Sequence, residues 1–274
     1  MVNGAWTDHL GIRDRGLAYG DGLFETCRWV DGQLPLWSYH ESRVLRDAAR
    51  LFMPIDSRLL AHQQQQFCAE LVRLGLLQGA VKLIVTRGQG GAGYTPLAAP
   101  SVSLIWQHIH VSQETHLAKQ GLRLMKARLP LSTNAQLAGI KHLNRLDYVV
   151  AAASQPLSAG EQLLLLDAEG FPIETLHQNI FWVKNRVLCT PQLVSTGVAG
   201  VIRQIILERL APALGLAVAV KRFPLQALLE ADEVFVCNSL RGIWPVTQIE
   251  EQLWSIGPIT EHLQMVEKSL WPIV

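Results

Sequence analysis

Three observations predict a mixed α/β (α+β) chain folded as two domains. Stretches with the period-two alternation of strands are interleaved with stretches at helical spacing, the pattern of mixed folds. With 274 residues, 49% hydrophobic and 17% charged, the chain can fill two cores and is far from a disordered composition. From about residue 111 to 120 it turns polar and aperiodic, as interdomain linkers do. The expected organisation is an amino-terminal domain over 1–110, a linker over 111–120 and a carboxy-terminal domain over 121–274.

Residues 23–30 alternate like a half-buried strand, and Asp31-Gly32 offers a hairpin turn into residues 34–37. Residues 38–51 read as a helix with His40, Val44, Ala48 and Leu51 on one side. A second helix runs from Ser57 to about Leu76, with the glutamines at 63–66 as a solvated face. Residues 80–87 and 102–106 read as strands around a Gly-rich loop, 87–94. Beyond the linker, a strand at 122–128 precedes the stretch around Lys141. Leu146, Val149, Val150 and Ala153 then recur at helical spacing, with Asn144 and Asp147 as candidate caps. Strands follow at 162–167 and 179–183, then a helix from Gly200 to about Ala213 and a last strand at 233–237.

Composition removes several classes of function. A net charge of +1 gives no electrostatic basis for binding nucleic acid or an anionic membrane. No apolar run is long enough to cross a bilayer, and the first residues lack a basic segment followed by an apolar core. Cys27, Cys68, Cys189 and Cys237 are scattered without partnering His spacing, so reduced thiols are expected and no metal site. A soluble cytoplasmic protein is expected.

Five features carry possible chemistry. Lys141, flanked by Ile140 and Leu143, is either a solvated lysine at a helix start or a desolvated amine. Desolvation disfavours the charged form, which suits a Schiff-base lysine. Gly197 and Gly200 open a helix whose Val201 and Ile202 amides could hold an anion, although glycine before a helix is common. Arg43, one turn after His40, is either an exposed helical arginine or a phosphate contact. The Ser239 hydroxyl follows a strand end and could reach the same anion. Glu174 lies among apolar residues, either at an exposed turn or as a buried carboxylate that needs a cationic partner such as a pyridinium nitrogen.

Glu174, Asn179-Ile-Phe181, Leu188-Cys-Thr190 and Val198-Ala-Gly-Val-Ile-Arg203 together resemble the signature of the class-IV (fold-type IV) pyridoxal-phosphate enzymes. Leu176 departs from it, standing where the signature has a small residue. The stretch from Asp14 to Thr26 is similar to the family's opening motif, so the resemblance runs from about residue 3 to 246. It implies a homodimer whose protomer has a small amino-terminal α/β domain and a larger carboxy-terminal pseudo-barrel domain, with pyridoxal 5'-phosphate between them. It also implies that Lys141 carries the cofactor and moves protons, and that Glu174 pairs with the pyridine nitrogen. Arg43, the Val201 and Ile202 amides and Ser239 would hold the phosphate.

Within the family, residues 138–146 and the loop 87–94 look most like the aminodeoxychorismate lyases. That likeness implies elimination from 4-amino-4-deoxychorismate to 4-aminobenzoate and pyruvate, for folate synthesis. D-amino acid transamination and a non-catalytic scaffold are the alternatives. Thr26 stands where these lyases carry a hydroxyl and is expected to assist proton transfer or orient the leaving group; a β-branched strand residue is the plainer reading. A dicarboxylate substrate needs cationic contacts. Arg28 and Arg87 are candidates together with Asn238, and Arg145 and Arg241 are further ones. Ala92 occupies a loop position where an arginine is expected, which leaves carboxylate recognition to another residue.

Overall fold

The computed structural model describes residues 1–111 and 115–271. They form two compact units, one from residues 1–111, 141–144 and 271, the other from 115–140 and 145–270.

In the first unit, α1 (Arg15–Tyr19) starts at Asp14, whose carboxylate accepts from the Gly16 amide at 2.7 Å. β1 (Gly22–Val30), α2 (Trp37–Arg50), α3 (Ser57–Arg73), β2 (Gln78–Thr86) and β3 (Ser103–Ile109) follow. The strands make an antiparallel sheet in the order β1-β2-β3. The expected hairpin turn closes, with Val30 and Gln33 exchanging both backbone hydrogen bonds at 3.1 and 3.0 Å, but no strand continues from it at 34–37. Asp31 and Gly32 do turn the chain at φ 50° and 71°, but β1 pairs with β2, from Gly22↔Thr86 to Val30↔Gln78. Pro35 cannot donate to a ladder, and Trp37 already begins α2. Along β1, Leu23, Glu25, Cys27 and Trp29 are buried while Phe24, Thr26 and Arg28 are half-exposed, the period of two read from sequence. α3 stops before Gly75, and its first glutamine is not solvated: Gln63 is buried and accepts from the Trp106 indole at 3.3 Å.

The second unit opens with α4 (Thr115–Gln120), a helix inside the stretch expected to be a structureless linker. Leu117 and Ala118 pack against the core, enough apolar contact to order a short polar segment; residues 112–114 of that stretch lie outside the described residues. β4 (Leu122–Lys126), α5 (Leu146–Ser154), β5 (Glu161–Leu166), β6 (Pro172–Thr175), β7 (Asn179–Lys184) and β8 (Val187–Pro191) follow. α6 (Val201–Ile205) runs through a π-helical turn (Ile206–Leu210) into α7 (Ala211–Ala213). The wide turn sits just ahead of Pro212, whose ring cannot pack against the carbonyl four residues back. β9 (Ala217–Lys221), α8 (Leu225–Leu229), β10 (Glu233–Asn238), β11 (Gly242–Ile249), β12 (Gln252–Leu253) and α9 (Pro258–Glu267) complete the unit. Its sheet runs β10-β11-β4-β5-β6-β7, and β10 pairs again with β7, so the strands close on themselves. Leu124, Leu164, Ile180, Trp182, Val236 and Trp244 share the core on one side, and Leu131, Leu163, Leu165 and Ile173 the other.

α5 forms as expected but is not capped as expected. Its first turn has no side-chain cap; the Asn144 amide donates instead to Gly20 O at 3.0 Å, and Asp147 accepts from the Ser132 and Tyr148 amides. The apolar stripe is turned outward as well. Leu146, Val149 and Val150 are 72%, 59% and 44% exposed, while Ala151 is the helix's buried residue.

Candidate active site

Lys141 belongs to a four-residue segment, Lys141–Asn144, that extends the β1 edge of the small sheet. The Phe24 amide donates to Lys141 O at 3.0 Å and the Leu143 amide to Gly22 O at 2.9 Å. This pairing lays the lysine side chain on β1, with Nζ 4.3 Å from the centroid of the Phe24 ring. Lys82, directly opposite Thr26 in the β1–β2 register, places its own ammonium 5.5 Å from the same ring. Phe24, Thr26, Arg28 and Lys82 thus share one half-exposed sheet face beside Lys141. Lys82 is a residue that the sequence reading missed; only the strand register brings it to Thr26.

Beneath the other face of β1 lies a buried charge network. Glu25 is 1% exposed and accepts from His40 Nδ1 at 2.7 Å, Arg43 Nε at 2.7 Å and Arg43 Nη2. Burial pushes the Glu25 carboxyl up, but the Arg43 charge and the His40 and Arg43 hydrogen bonds outweigh it and hold the pKa at about 2. Burial lowers the His40 pKa, so the imidazole is neutral and Nδ1 carries the donated proton. Arg43 is therefore not the exposed helical arginine; it is 3% exposed, and its guanidinium is already paired along one edge. Any phosphate it met would find that charge part-neutralised.

In the second unit Glu174 is 3% exposed, so the exposed-turn alternative fails. Its Oε2 accepts from Asn179 Nδ2 at 3.0 Å and the Val198 amide at 3.1 Å, and Oε1 accepts from the Tyr148 hydroxyl. Burial, and then the adjacent Glu174 charge, push the Tyr148 phenol far above its ordinary range, so it stays a donor. Asn179 also donates to Val198 O at 2.8 Å and accepts from the Gly200 amide at 3.1 Å. One side chain thus ties Glu174 to the start of α6. The residues ahead of Lys141 join the same framework: Gly139 N–H donates to Gly197 O at 2.9 Å, and Ala199 N–H to Gly139 O at 3.0 Å. Val201 and Ile202 are the first two residues of α6, 2% and 0% exposed, where amides lack an acceptor within the helix. Ser239 follows the end of β10 directly.

Two of the expected substrate contacts also carry bonds within the chain. The Arg87 guanidinium reaches both Asp21 oxygens through Nε, at 3.0 and 2.9 Å, and the Phe52 and Leu51 carbonyls through Nη1 and Nη2. Asn238 donates to His177 O and accepts from the Leu240 and Arg241 amides, the bonds of a turn. Arg145 donates to Ile140 O and lies over Tyr148, Arg241 lies over Trp244, and Arg28 lies over Trp271 at 4.7 Å.

The donor set suits pyridoxal 5'-phosphate. The first unit offers an amine on an aromatic face and a buried, paired arginine; the second offers a buried carboxylate held by three neutral donors and a helix start. A sequence description of the class IV aminotransferases matches residues 22–249, and the chain belongs to that family. The family is pyridoxal-phosphate dependent. Within it the chain is 34% identical to the aminodeoxychorismate lyase of Vibrio harveyi, covering 96% of this chain and 97% of that protein. It is 30% identical to a putative branched-chain-amino-acid aminotransferase of Methanocaldococcus jannaschii, covering 96% and 93%. The crystal structure of the 4-amino-4-deoxychorismate lyase of Pseudomonas aeruginosa superposes with a TM-score of 0.92 at 39% identity, covering 98% of both chains.

Proposed function

We infer that this chain is a 4-amino-4-deoxychorismate lyase, a carbon–oxygen lyase whose products are 4-aminobenzoate and pyruvate for folate synthesis. The observation that carries the reading is the full-length likeness to lyases in both sequence and structure. The cationic face beside Lys141 suits a substrate with two carboxylates.

When bound, pyridoxal phosphate supplies an electron sink that weakens a bond next to the substrate nitrogen. Lys141 would hold the cofactor covalently, its amine freed when substrate is bound. Its freed amine then takes the proton from the ring carbon bearing that nitrogen. Loss of the enolpyruvyl group leaves an aromatic ring, and Lys141 or a neighbour returns a proton to the departing three-carbon unit. Phe24 keeps Nζ on one side of the small sheet. The Thr26 hydroxyl orients the leaving group, and Lys82 and Arg28 replace the arginine that Ala92 lacks as carboxylate contacts. Glu174 would keep the pyridine nitrogen protonated; Arg43 in the first unit, and the Val201 and Ile202 amides and Ser239 in the second, are the groups that would hold a phosphate.

The finer reading is a cytoplasmic homodimer. Among the described residues no helix is long and apolar enough to cross a membrane. The outward apolar stripe of α5 supports association with a second copy. Incubating the purified protein with 4-amino-4-deoxychorismate and following 4-aminobenzoate fluorescence tests the activity. Product without an amino acceptor supports the lyase, whereas D-alanine transamination without that product supports the transaminase.

A further inference from the structure

The buried face of α2 consists of His40, Arg43, Val44, Asp47 and Ala48, so three of its five inward positions are polar. Two of these are explained by Glu25. Asp47, one turn beyond Arg43, is not. It is 1% exposed, and a carboxylate there is costly unless it is partnered. Its Oδ1 accepts from Arg46, Nε at 3.0 Å and Nη2 at 2.9 Å. Its Oδ2 points the other way and accepts from the backbone amide of Lys141, at 3.4 Å the long end of a hydrogen bond.

The placement of that bond gives it meaning. The sheet edge holds Lys141 through its carbonyl, which accepts from Phe24, and through Leu143 two residues on. Asp47 takes hold of the amide side of the same residue. The backbone of Lys141 is thereby fixed between β1 and α2, and the helix that fixes it also carries Arg43. A side chain with four rotatable bonds is aimed only as well as the backbone it grows from, and misplacement of a reacting group by about 1 Å can cost on the order of a hundredfold in rate.

We propose that Asp47 is a positioning residue for Lys141, holding its backbone amide through a hydrogen bond so that the amine is presented in register with the cofactor. This rests on reading Lys141 as the cofactor lysine. The role belongs to the acceptor oxygen and not to the charge. Burial pushes the Asp47 carboxyl up, while the Arg46 and Arg43 guanidiniums and the Lys141 amide oppose it. An uncharged amide oxygen at the same place does the same work.

The test uses Asp47→Ala and Asp47→Asn beside the wild type, each loaded with pyridoxal phosphate. Kinetics, the visible absorbance of the bound cofactor across pH, and hydrogen exchange at the Lys141 amide are measured. Asp47→Ala is expected to lower kcat about tenfold with KM within about twofold. It should also move the pH midpoint of the visible band and speed exchange at Lys141. Asp47→Asn should restore kcat to within about threefold and return the midpoint and the protection. The proposal is overturned if Asp47→Ala keeps wild-type kcat, midpoint and protection, or if Asp47→Asn is no better than Asp47→Ala. Should Asp47→Ala fail to fold, Asp47→Ser, whose hydroxyl is too short to reach, takes its place under the same criteria. A wild type with no visible band would instead overturn the reading of Lys141, an outcome separable from failure of the Asp47 role.

Discussion

Glu25 joins His40 and Arg43 inside the small unit, and its ionisation is linked to folding. Its folded pKa of about 2 lies below the 4.5 of a free glutamate, so its contribution is fully present above pH 4.5 and is lost as pH falls through 2. The shift corresponds to about 3 kcal/mol. His40 acts in the same direction, because burial lowers its pKa and folding disfavours its protonated form below about pH 6.5. Urea unfolding from pH 7 down to 2 should therefore show stability falling throughout, most steeply below 4.5. Glu25→Gln leaves Arg43 buried without its counter-charge and should cost about 3–5 kcal/mol at pH 7, with a flatter curve below pH 4.5. An unchanged curve would mean that the network contributes nothing to folding. At Lys141 the expected outcome is spectroscopic. Lys141→Ala should lose the visible band of the bound cofactor and lower turnover more than about a thousandfold while keeping a wild-type unfolding midpoint. At this scale the sequence was informative about identity and silent about partners. Arg43 and Glu174 were readable as candidates, but Glu25 was not, since an alternating strand does not reveal which buried position will face an arginine one helix away.

Among the elements, the start of α6 is the most constrained by its neighbours. A Cβ added at Gly200 would lie 2.1 Å from Asn179 Oδ1, the atom that accepts the Gly200 amide. Gly200→Ala must displace Asn179 and with it both the helix start and the Asn179 carboxamide's hydrogen bond to the Glu174 carboxylate. Cofactor affinity should fall about tenfold or more in an absorbance titration, with little change in a Val194→Ala control on the exposed surface. Equal affinities would contradict the anion-site role of this turn. The longer strands and helices were legible because their periodicity reflects which face is buried. What periodicity could not supply was the direction of that face: the α5 stripe at 146, 149 and 150 points outward. Nor could it show β6, β8 and β9, whose short runs pair only through long-range register. The helix at 115–120 was hidden for the same reason, its order coming from Leu117 and Ala118 on a core assembled from distant strands.

For the molecule as a whole, family membership and activity are different depths of the same argument. The closed sheet and the Glu174 framework define the cofactor class, and they serve transaminases as well as lyases. On the proposed reading, the face around Lys141, where Thr26, Lys82 and Arg28 stand together, is what selects the lyase substrate. Lys82→Ala should therefore raise KM for the dicarboxylate substrate about tenfold or more while leaving the cofactor's visible band in place. A band lost together with KM would assign Lys82 to cofactor binding instead. The ordered motifs made the family legible from sequence alone. The partners of Arg87 and Asn238 were not, because they lie on turns and loops that only the folded chain reveals. The central claim is tested most directly by following 4-aminobenzoate fluorescence and pyruvate release together, on 4-amino-4-deoxychorismate with no amino acceptor present. The lyase reading predicts both products in equal amounts and neither from Lys141→Ala. Absence of both from the cofactor-loaded wild type, with amino transfer from D-alanine to 2-oxoglutarate, would contradict it.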